Sequence, residues 1–597
     1  MTPRRRRRRR PGPPVSRAAV PAPPGTPPGA APAAVPLRGA RSSRPAPGSD
    51  GAGLQIIPLG GLGEIGKNSV AIRLGREVLI VDAGLMFPDE EMLGIDFVIP
   101  DFRSIAGEGT VHGIVLTHGH EDHVGGLPFL LQAVQAPVYG TPLTLGLARR
   151  RVEETRGVPK MKSVPAGPRR PVRIGPFEVE LVHVNHSIPQ TCAVVVRTPV
   201  GTVVCTSDFK FDQTPIDEEP TDFSRLAEVG ETGVLVALMD STNVERPGFA
   251  PSERVVGGAL DAIFARSRGR ILVTTFASNV HRVQQILNIA SRHGRKVAIA
   301  GRSMVDTVTI ASELHALKVP RGTLVPLEQV HRLPGRQVTI LTSGSQGEPL
   351  SALTRMASGT HRAVTITPGD TVVFSATPIP GNEAMVGRTI NQLYRQGAEV
   401  IHGAEVHASG HACQEELKLM LTLLRPKFFI PVHGEYRHLV LNQALATSVG
   451  IPKERILLAE NGHVIDVQSG GMARTTSIEA GNVLVDGLGV GVGTAVLRDR
   501  RHLAQDGVLI ALVAIDHQSG ELIREPDIVS RGFVFMRESG DLIEECKKRV
   551  REAVARSRER GGTEWGAVRS AIKEALGRYL FEQTHRQPMI LPLLVEL

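Results

Sequence analysis

The sequence contains little cysteine, and its four cysteines lie far apart without CxxC spacing (Cys192, Cys205, Cys413 and Cys546). This pattern excludes a disulfide framework and a thiolate zinc site. It is typical of a protein in a reducing cytoplasm, where we expect this chain to be located. No apolar run approaches the length of about 20 residues that spans a membrane, so we expect no membrane partner.

The chain also has no net positive charge outside residues 1–50. Seven consecutive arginines (Arg4 to Arg10) are not followed by the apolar stretch that a secretory signal needs. The net charge of the chain is +9, yet residues 1–50 contain eleven arginines and one aspartate, which leaves −1 for the remainder. Any nucleic-acid affinity of the folded part must therefore come from a local patch.

Residues 1–50 consist largely of Pro, Ala, Gly and Arg and offer almost nothing to bury. We expect this arm to be disordered. Two roles stay open for it. The arginines could bind RNA phosphates without sequence preference, or the arm could be a solubilising extension.

From Leu54 onward, short strand-like runs alternate with helical patterns, which predicts an α/β protein of several domains. The first strand is followed by Gly61, Gly63 and Gly66, which match the GxGxxG pattern. A dinucleotide site would require a helix after these glycines, but residues 69–74 alternate like a strand. The glycine pattern therefore predicts a β-meander and not a nucleotide site.

Four metal-binding side chains are crowded into the turn after the apolar run 113–116, namely His118, His120, Asp122 and His123. The carboxyl end of a strand is where α/β proteins place their sites. The side chains of His118 and His120 are expected to point the same way, and those of Asp122 and His123 are expected to be offset toward a second ion. The turn predicts two metal ions, about 3.5–4 Å apart as in two-metal sites.

Other strand-like runs end in further potential ligands. We expect His118, His120 and His186 to hold the first ion, Asp122, His123 and His433 to hold the second, and Asp208 to bridge them. Asp82 ends another strand and is expected to support the ligands from behind. Five histidines, two aspartates and no cysteine favour two Zn²⁺ ions per subunit, with Mn²⁺ as the second choice. A hydroxide held between the ions would be nucleophilic at neutral pH.

These residues resemble a known family. Asp82, the His118-x-His120-x-Asp122-His123 turn, His186 and Asp208 are similar to successive motifs of the metallo-β-lactamase fold. Asp240, His411 and His433, with an α/β unit inserted between the first two, resemble the further motifs of β-CASP nucleases. From Leu54 to Leu597 the chain resembles the bacterial ribonuclease J family, and residues 81–88, 407–411 and 431–435 are the segments most specific to it.

The resemblance implies a zinc-dependent ribonuclease with endonuclease and 5′→3′ exonuclease activity, in RNA maturation (including rRNA) and mRNA decay. The expected mechanism is attack of the shared hydroxide on the phosphodiester. His411 is expected to protonate or stabilise the leaving 3′-oxygen, with Asp240 orienting it, and Asp82 completes the catalytic set. For Asp240 and His411, a purely structural role between domains is the alternative.

The expected substrate-binding residues lie in two segments. His407, Ala408, Ser409, Gly410 and His411 are expected to open a helix that runs through Leu424 and to cradle the RNA backbone. Ser343 and Ser345, with Gly301 to Ser303 as a possible aid, follow another strand. They could grip the terminal 5′-phosphate or belong to an ordinary glycine-rich turn.

The resemblance implies a metallo-β-lactamase αββα sandwich with an inserted β-CASP α/β domain and a small α+β C-terminal domain. We expect a disordered arm (1–50), the first part of the sandwich (51–245), the β-CASP domain (246–400), the return segment (401–481), a linker (482–496) and the C-terminal domain (497–597). The last domain is expected to support a homodimer or homotetramer, and an RNA-degradation complex is a further partner.

Three alternatives to a ribonuclease have less support from the sequence. A DNA-processing β-CASP enzyme is disfavoured by His433, because the DNA-acting branch tends to carry an apolar residue there. A small-molecule metallo-hydrolase is disfavoured by the long insertion between Asp240 and His411, which would roof the site. A noncatalytic RNA-binding scaffold would have no chemical reason to keep seven ligands.

Overall fold

The computed structural model describes residues 53–596 except residues 90, 108, 380, 488, 517–518, 534–539 and 560–564. The arm expected to be disordered, residues 1–50, lies outside the described residues. Among those described, no helix is both long enough and apolar enough to cross a membrane.

The first part of the chain contains thirteen strands and five helices among its described residues. The strands are β1 Leu54–Gly60, β2 Leu62–Gly63, β3 Ser69–Leu74, β4 Glu77–Val81, β5 Phe97–Pro100, β6 Thr110–Val115, β7 Val138–Gly140, β8 Ser163–Pro165, β9 Val172–Ile174, β10 Phe177–His183, β11 Cys192–Arg197, β12 Thr202–Cys205 and β13 Val236–Asp240. The helices are α1 Arg103–Ala106, α2 Glu121–Val124, α3 Leu127–Ala133, α4 Pro142–Glu154 and α5 Phe223–Thr232.

The middle part alternates helices and strands, as the sequence predicts. Its elements are α6 Glu253–Arg266, β14 Ile271–Thr274, α7 Val280–Arg292, β15 Lys296–Ala300, α8 Arg302–Glu313, β16 Val338–Thr342, α9 Ala352–Ala357, β17 Thr371–Phe374, α10 Glu383–Arg395 and β18 Glu399–His402. The five strands form one parallel sheet in the order β15-β16-β14-β17-β18. Apolar clusters on both faces of this sheet bury it under the helices.

The chain then returns to the first part and ends in a smaller sheet. The returning elements are α11 Gln414–Leu424, β19 Phe428–Val432, β20 Gly434–Glu435, α12 Tyr436–Ser448, β21 His463–Gln468, β22 Gly471–Ser477, β23 Asn482–Asp486 and β24 Gly489–Val490. The last elements are α13 Thr494–Asp506, β25 Val508–Ile515, β26 Asp527–Arg531, α14 Gly540–Glu559, α15 Trp565–Thr584 and β27 Met589–Glu596. The final sheet has the order β26-β25-β27 and packs on α14 and α15.

Two sheets form the centre of the fold. One has eight strands in the order β22-β21-β1-β3-β4-β6-β7-β8, and the other has six in the order β19-β13-β12-β11-β10-β9. Leu54, Ile56 and Ile72 of the first sheet share one apolar cluster with Val194 and Val203 of the second. The outer faces of the two sheets pack against helices in separate clusters. These layers give the αββα sandwich that the resemblance implies, with the parallel unit inserted between β13 and α11.

Two local expectations concern the start of the helix near His407 and the segment 482–496. The helix expected to open at His407 to His411 begins only at Gln414, so that expectation is wrong. The amides near the helix start are already paired: Gln414 N donates to Arg246 O, and Cys413 N donates to the Glu416 carboxylate. The segment 482–496, expected to be a linker, contains β23 and β24, and β23 pairs with β5 from Asn482 to Val485.

A buried ion pair joins the inserted unit to the segment that precedes His407. Arg282 is fully buried on α7 and binds both carboxylate oxygens of Glu253 through its guanidinium. The same guanidinium donates to the carbonyl oxygens of Ser375 and Val406, both at 3.0 Å. Removing one partner of such a pair leaves an uncompensated charge in the interior.

We therefore expect Arg282→Ala to lower the free energy of unfolding by about 3–5 kcal/mol, the usual cost of breaking a buried pair. The matched control is Arg292→Ala, which removes a largely exposed partner of Asp261 and should change stability by less than about 1 kcal/mol. Urea unfolding followed by circular dichroism measures both variants. Equal effects of the two substitutions would contradict the role given to Arg282.

Candidate metal centre

The ends of several strands bring the predicted ligands to one place. His118, His120, Asp122 and His123 follow β6 in the turn and helix α2, and Asp208 follows β12. His186 comes after β10, and His433 separates β19 from β20. Because these strands belong to the two facing sheets, their ends meet at one edge of the sandwich.

The backbone is strained at this edge. Asp82, Ser207 and His433 have φ angles of 61°, 62° and 53°, the left-handed conformation that side chains with a Cβ rarely adopt. This conformation costs roughly 1–2 kcal/mol per non-glycine residue, so surrounding contacts must hold each of them. Strain of this kind concentrates at functional sites.

The first group of ligand atoms comes from His118, His120, His186 and Asp208, and all lie within 4.8 Å of one another. His120 Nδ1 is 3.1 Å from His186 Nε2. Asp208 Oδ2 is 3.8 Å from the Nε2 atoms of both His118 and His186. Three imidazoles and one carboxylate are a donor set that suits Zn²⁺.

The second group comes from Asp122, His123, Asp208 and His433, again within 4.8 Å. Asp208 Oδ1 is 3.3 Å from His123 Nε2, and Asp122 Oδ2 is 3.4 Å from His433 Nε2. Asp208 is common to both groups, and its two oxygens face different groups. The seven predicted ligands therefore lie in these two groups. A third group within the same distance is formed by Asp208, Asp240, His411 and His433.

Unpaired nitrogens test whether these residues fit metal ions. His118 Nε2 and His433 Nε2 are buried and have no hydrogen-bond partner. A buried polar atom without a partner is costly unless something else satisfies it. Each of the two atoms lies in one of the two ligand groups, so a bound cation in each group would satisfy both. The residues fit a dinuclear centre.

The opposite ring nitrogens of the histidines are held by the protein. Asp82 Oδ2 accepts from His123 Nδ1 at 2.8 Å, and the Gly410 carbonyl accepts from His186 Nδ1 at 2.7 Å. Thr117 Oγ1 lies 3.0 Å from His118 Nδ1. Such partners fix the tautomer and aim the other nitrogen at the metal. Asp82 thus contacts the ligand His123 from behind and does not belong to either ligand group.

The two groups differ in their electrostatics. Burial lowers the pKa of His120 to about 4, and burial together with His123 holds the pKa of His118 well below its ordinary value. Burial also opposes protonation of His123 and His433, but Asp208 and the other nearby carboxylates raise the pKa of both well above its ordinary value. In the second group, therefore, the surrounding carboxylates outweigh the effect of burial on the imidazoles.

Asp240 and His411 form a pair beside the ligands. His411 Nδ1 is 2.8 Å from Asp240 Oδ2, and His411 Nε2 is 4.0 Å from Asp208 Oδ2. Burial would lower the pKa of His411, but Asp240 and Asp208 raise it above its ordinary value. The pair therefore directs the Nε2 atom of His411 toward the shared carboxylate.

The segment His407 to His411 approaches the cluster as an extended loop. Asn243 Nδ2 donates to Ser409 Oγ at 2.7 Å, and His411 N donates to the same oxygen at 3.2 Å. Ala408 and Gly410 are buried, and a Cβ added to Gly410 would lie 2.6 Å from the His186 ring. Because the helix begins only at Gln414, any phosphate cradle here would come from this loop and not from a helix N-terminus.

Ser343 and Ser345 lie apart from the cluster, after the carboxyl end of β16 in the parallel sheet. Gly344 between them has a φ of 105°, and Gly301 leaves room for Ser343 because a Cβ there would lie 2.2 Å from its hydroxyl. Among the described residues, no hydrogen bond or ion pair joins either serine to the ligand groups. The two segments, 301–303 and 343–345, do meet at one sheet edge.

Several supporting residues have no clear signal in the sequence. Thr117 is adjacent to the metal turn and could have been inferred from that position alone. Thr242, whose hydroxyl lies 3.1 Å from His433 Nδ1, and the carbonyl of Gly410 become visible only once distant segments meet.

Fold and centre together define a class of protein, a metal-dependent hydrolase of the metallo-β-lactamase superfamily. Residues 62–245 match the family profile "Metallo-beta-lactamase superfamily", and 401–453 match "Zn-dependent metallo-hydrolase RNA specificity domain". Residues 268–393 match "Ribonuclease J, beta-CASP domain", and 495–597 match "Ribonuclease J C-terminal domain".

Similar proteins extend this result over the whole folded part. The chain is 44% identical over 545 residues to Ribonuclease J 1 of Streptococcus pyogenes, covering 90% of this chain and 97% of that protein. It is 42% identical over 546 residues to Ribonuclease J2 of Bacillus subtilis, covering 91% and 98% of the two chains. A protein of unknown function from Enterococcus faecalis shares the fold, with a TM-score of 0.51, 15% identity and coverage of 70% of this chain and 100% of that one. The chain belongs to the ribonuclease J family.

The shared position of Asp208 leads to a prediction about metal binding. Asp208→Ala removes an oxygen donor from both ligand groups at once, so we expect the metal bound per chain to fall by at least half. Inductively coupled plasma mass spectrometry of the dialysed protein measures this ratio. Asp261→Ala, which changes an aspartate on the exposed side of α6, is the control and should bind as much metal as the unmodified chain. Full metal retention by Asp208→Ala would contradict the assignment.

Proposed function

We propose that this member of the ribonuclease J family is a ribonuclease with two Zn²⁺ ions per subunit, or Mn²⁺ in their place, and cleaves RNA both internally and from the 5′ end. Membership of the family supports a metal-dependent ribonuclease. The main support for two ions is the geometry of two ligand groups, one with His118, His120 and His186 and one with Asp122, His123 and His433, which share Asp208. Bound divalent cations lower the pKa of water and neutralise phosphate charge.

The protein's own residues complete the reaction. One ion is held by His118, His120 and His186. The other is held by Asp122, His123 and His433, and Asp208 lies between the two groups. Asp240 fixes the Nδ1 side of the His411 ring, so Nε2 faces the centre. As an oxygen from water bonds to phosphorus, the bond from phosphorus to the 3′-oxygen breaks, and His411 Nε2 donates a proton to that leaving oxygen.

The substrate is held on two sides of the junction between the sandwich and the inserted unit. His407, Ala408, Ser409, Gly410 and His411 contact the RNA backbone beside the scissile phosphate. Ser343 and Ser345, at the carboxyl edge of the parallel sheet, bind the terminal 5′-phosphate. Strand-to-turn edges with glycine offer amide and hydroxyl donors to an anion, which supports this placement.

The alternatives have less support. A DNA-processing relative tends to lack a histidine at position 433, and here His433 belongs to the second ligand group. A small-molecule hydrolase does not need the five-stranded unit between β13 and α11. A binding scaffold does not need buried imidazole nitrogens without a hydrogen-bond partner, which a bound cation would satisfy.

The same proposal covers the cellular setting. The enzyme acts in RNA maturation, including rRNA, and in mRNA decay, in the cytoplasm, where its four free cysteines stay reduced. It forms a homodimer or homotetramer and joins an RNA-degradation complex. Exposure of Leu591, Leu593 and Val595 on one face of β27 supports self-association through the last domain. The domain boundaries proposed are those given by the sequence.

His411→Ala tests the proton donor. We expect both metal ions to remain and kcat to fall by about 100-fold or more, the usual range for a lost general acid. Metal analysis and single-turnover cleavage of a labelled RNA measure the two properties. His331→Ala, an exposed histidine on the inserted unit, is the control and should change neither. Loss of metal from His411→Ala would instead make this residue a ligand.

The activity itself is tested with one labelled RNA that carries either a 5′-monophosphate or a 5′-triphosphate. We expect mononucleotides to be released from the monophosphate form alone, and internal cleavage of both forms. Single-stranded DNA of the same sequence and a generic thioester serve as controls. Turnover of either control at the rate of RNA would favour one of the alternatives, and an intact RNA would contradict the proposal.

A further inference from the structure

The glycine-rich turn after β1 supplies none of the seven ligands. We define the glycine loop as residues 60–68, which include β2 and the GxGxxG pattern. The loop is not a nucleotide site, because strand β3 and no helix follows it. Its contacts instead reach both sides of the second ligand group.

Asn68 contacts one side of that group. Its side-chain amide Nδ2 donates to Asp122 O at 3.2 Å and lies 3.4 Å from Asp122 Oδ2 and 3.0 Å from His123 Nε2. Its backbone N also donates to Asp122 O at 3.0 Å, and its carbonyl accepts from Gly84 N at 2.9 Å. Asn68 is buried, so these bonds fix its side chain against α2.

The other end of the loop contacts His433. His433 N donates to Gly61 O at 2.8 Å, and β2 pairs in parallel with β20, which begins directly after His433. His433 has a left-handed backbone, and a non-glycine residue in that conformation needs external contacts to stay there. The bond to Gly61 and the pairing of Leu62 with Gly434 are such contacts.

The loop itself is rigidly built. The Glu64 carboxylate accepts from Gly61 N at 3.1 Å and from Asn461 Nδ2 at 2.7 Å, and it pairs with the buried Lys67 at 3.1 Å. A Cβ on Gly61 would lie 2.5 Å from the Asn68 side-chain oxygen, so glycine is needed for this close approach. The two contact points of the loop are therefore coupled through a single packed unit.

The first ligand group is supported by different residues. Thr117 contacts His118, Gly410 O accepts from His186, and Ser187 Oγ lies 3.3 Å from His120 Nε2. Within the described part of the chain, no hydrogen bond from the glycine loop reaches His118, His120 or His186. The contacts of the loop are thus specific to one half of the centre.

We propose that the glycine loop is the positioning element of the second cation site, with Asn68 orienting Asp122 through its two bonds to Asp122 O while Gly61 holds His433. Occupancy of the second site depends on the loop, and occupancy of the first does not. Asn68 acts through the ligands, so it is a positioning residue. The inference rests on the proposed two-ion centre.

The test is Asn68→Ala in the full chain, titrated with Zn²⁺ by isothermal calorimetry after removal of metal with a chelator. Supporting residues of this kind typically contribute 10–100-fold to metal affinity. We expect the binding event at the second ligand group to weaken by about that factor and the event at the first group to stay within about twofold, whichever of the two is the tighter in the unmodified chain. We also expect excess Zn²⁺ to restore kcat for RNA cleavage, with KM for RNA unchanged.

Two further variants make the result specific. Ser187→Ala removes the contact to His120 and should leave unchanged the binding event that Asn68→Ala weakens. Asn68→Ser keeps a hydroxyl donor and should weaken that event less than Asn68→Ala, and it serves as the measurement if the alanine variant does not fold. Equal weakening of both events, or no weakening, would overturn the inference. A single binding event in the unmodified chain would instead overturn the two-ion proposal.

Discussion

One buried carboxylate governs the arrangement of the centre. Asp208 follows β12 with its two oxygens directed at different groups of imidazoles. Burial would raise its pKa, but His433 and His123 hold the pKa of Asp208 well below its ordinary value. The carboxylate is thus kept charged inside the protein, which is favourable only where cationic partners compensate for its lost hydration. Its position therefore requires ligands from several distant segments to meet around it.

The fold satisfies this requirement by ending strands at one edge. The two sheets of the sandwich bring the turn after β6, the loop after β10 and the end of β19 together, although β6 and β19 lie more than 300 residues apart in the sequence. The inserted unit separates Asp240 from His411, yet the two residues form a direct pair at 2.8 Å. The Gly410 carbonyl fixes His186 from the returning segment, so the two parts of the sandwich support each other's ligands.

Much of the fold and of the centre could be predicted because both depend on local patterns. Apolar runs ending in Asp240 or in His118 mark strands with a site at their carboxyl ends, and the structure places those strands as expected. The beginning of α11 was predicted wrongly, because Ser409 and Gly410 resemble a helix start while the hydroxyl of Ser409 is bound by Asn243. That bond joins residues far apart in the sequence.

Positioning contacts of this kind could not be predicted for the same reason. The pairing of β23 with β5 and the contact of Asn68 with α2 depend on which segments meet after folding. No local sequence pattern predicts which segments will meet. The glycine pattern at 61–66 shows the opposite problem, a local pattern that suggests a function which the surrounding structure excludes. Its spacing resembles a nucleotide motif, and only the strand that follows it excludes that function.

The most direct measurement is anomalous X-ray diffraction at the zinc edge from crystals of the full chain grown with Zn²⁺. We expect two anomalous peaks, one for each Zn²⁺ ion, about 3.5–4 Å apart as in two-metal sites, with one oxygen of Asp208 on each ion. One ion would lie among His118, His120 and His186, and the other among Asp122, His123 and His433. A single peak, or two peaks without Asp208 between them, would contradict the account.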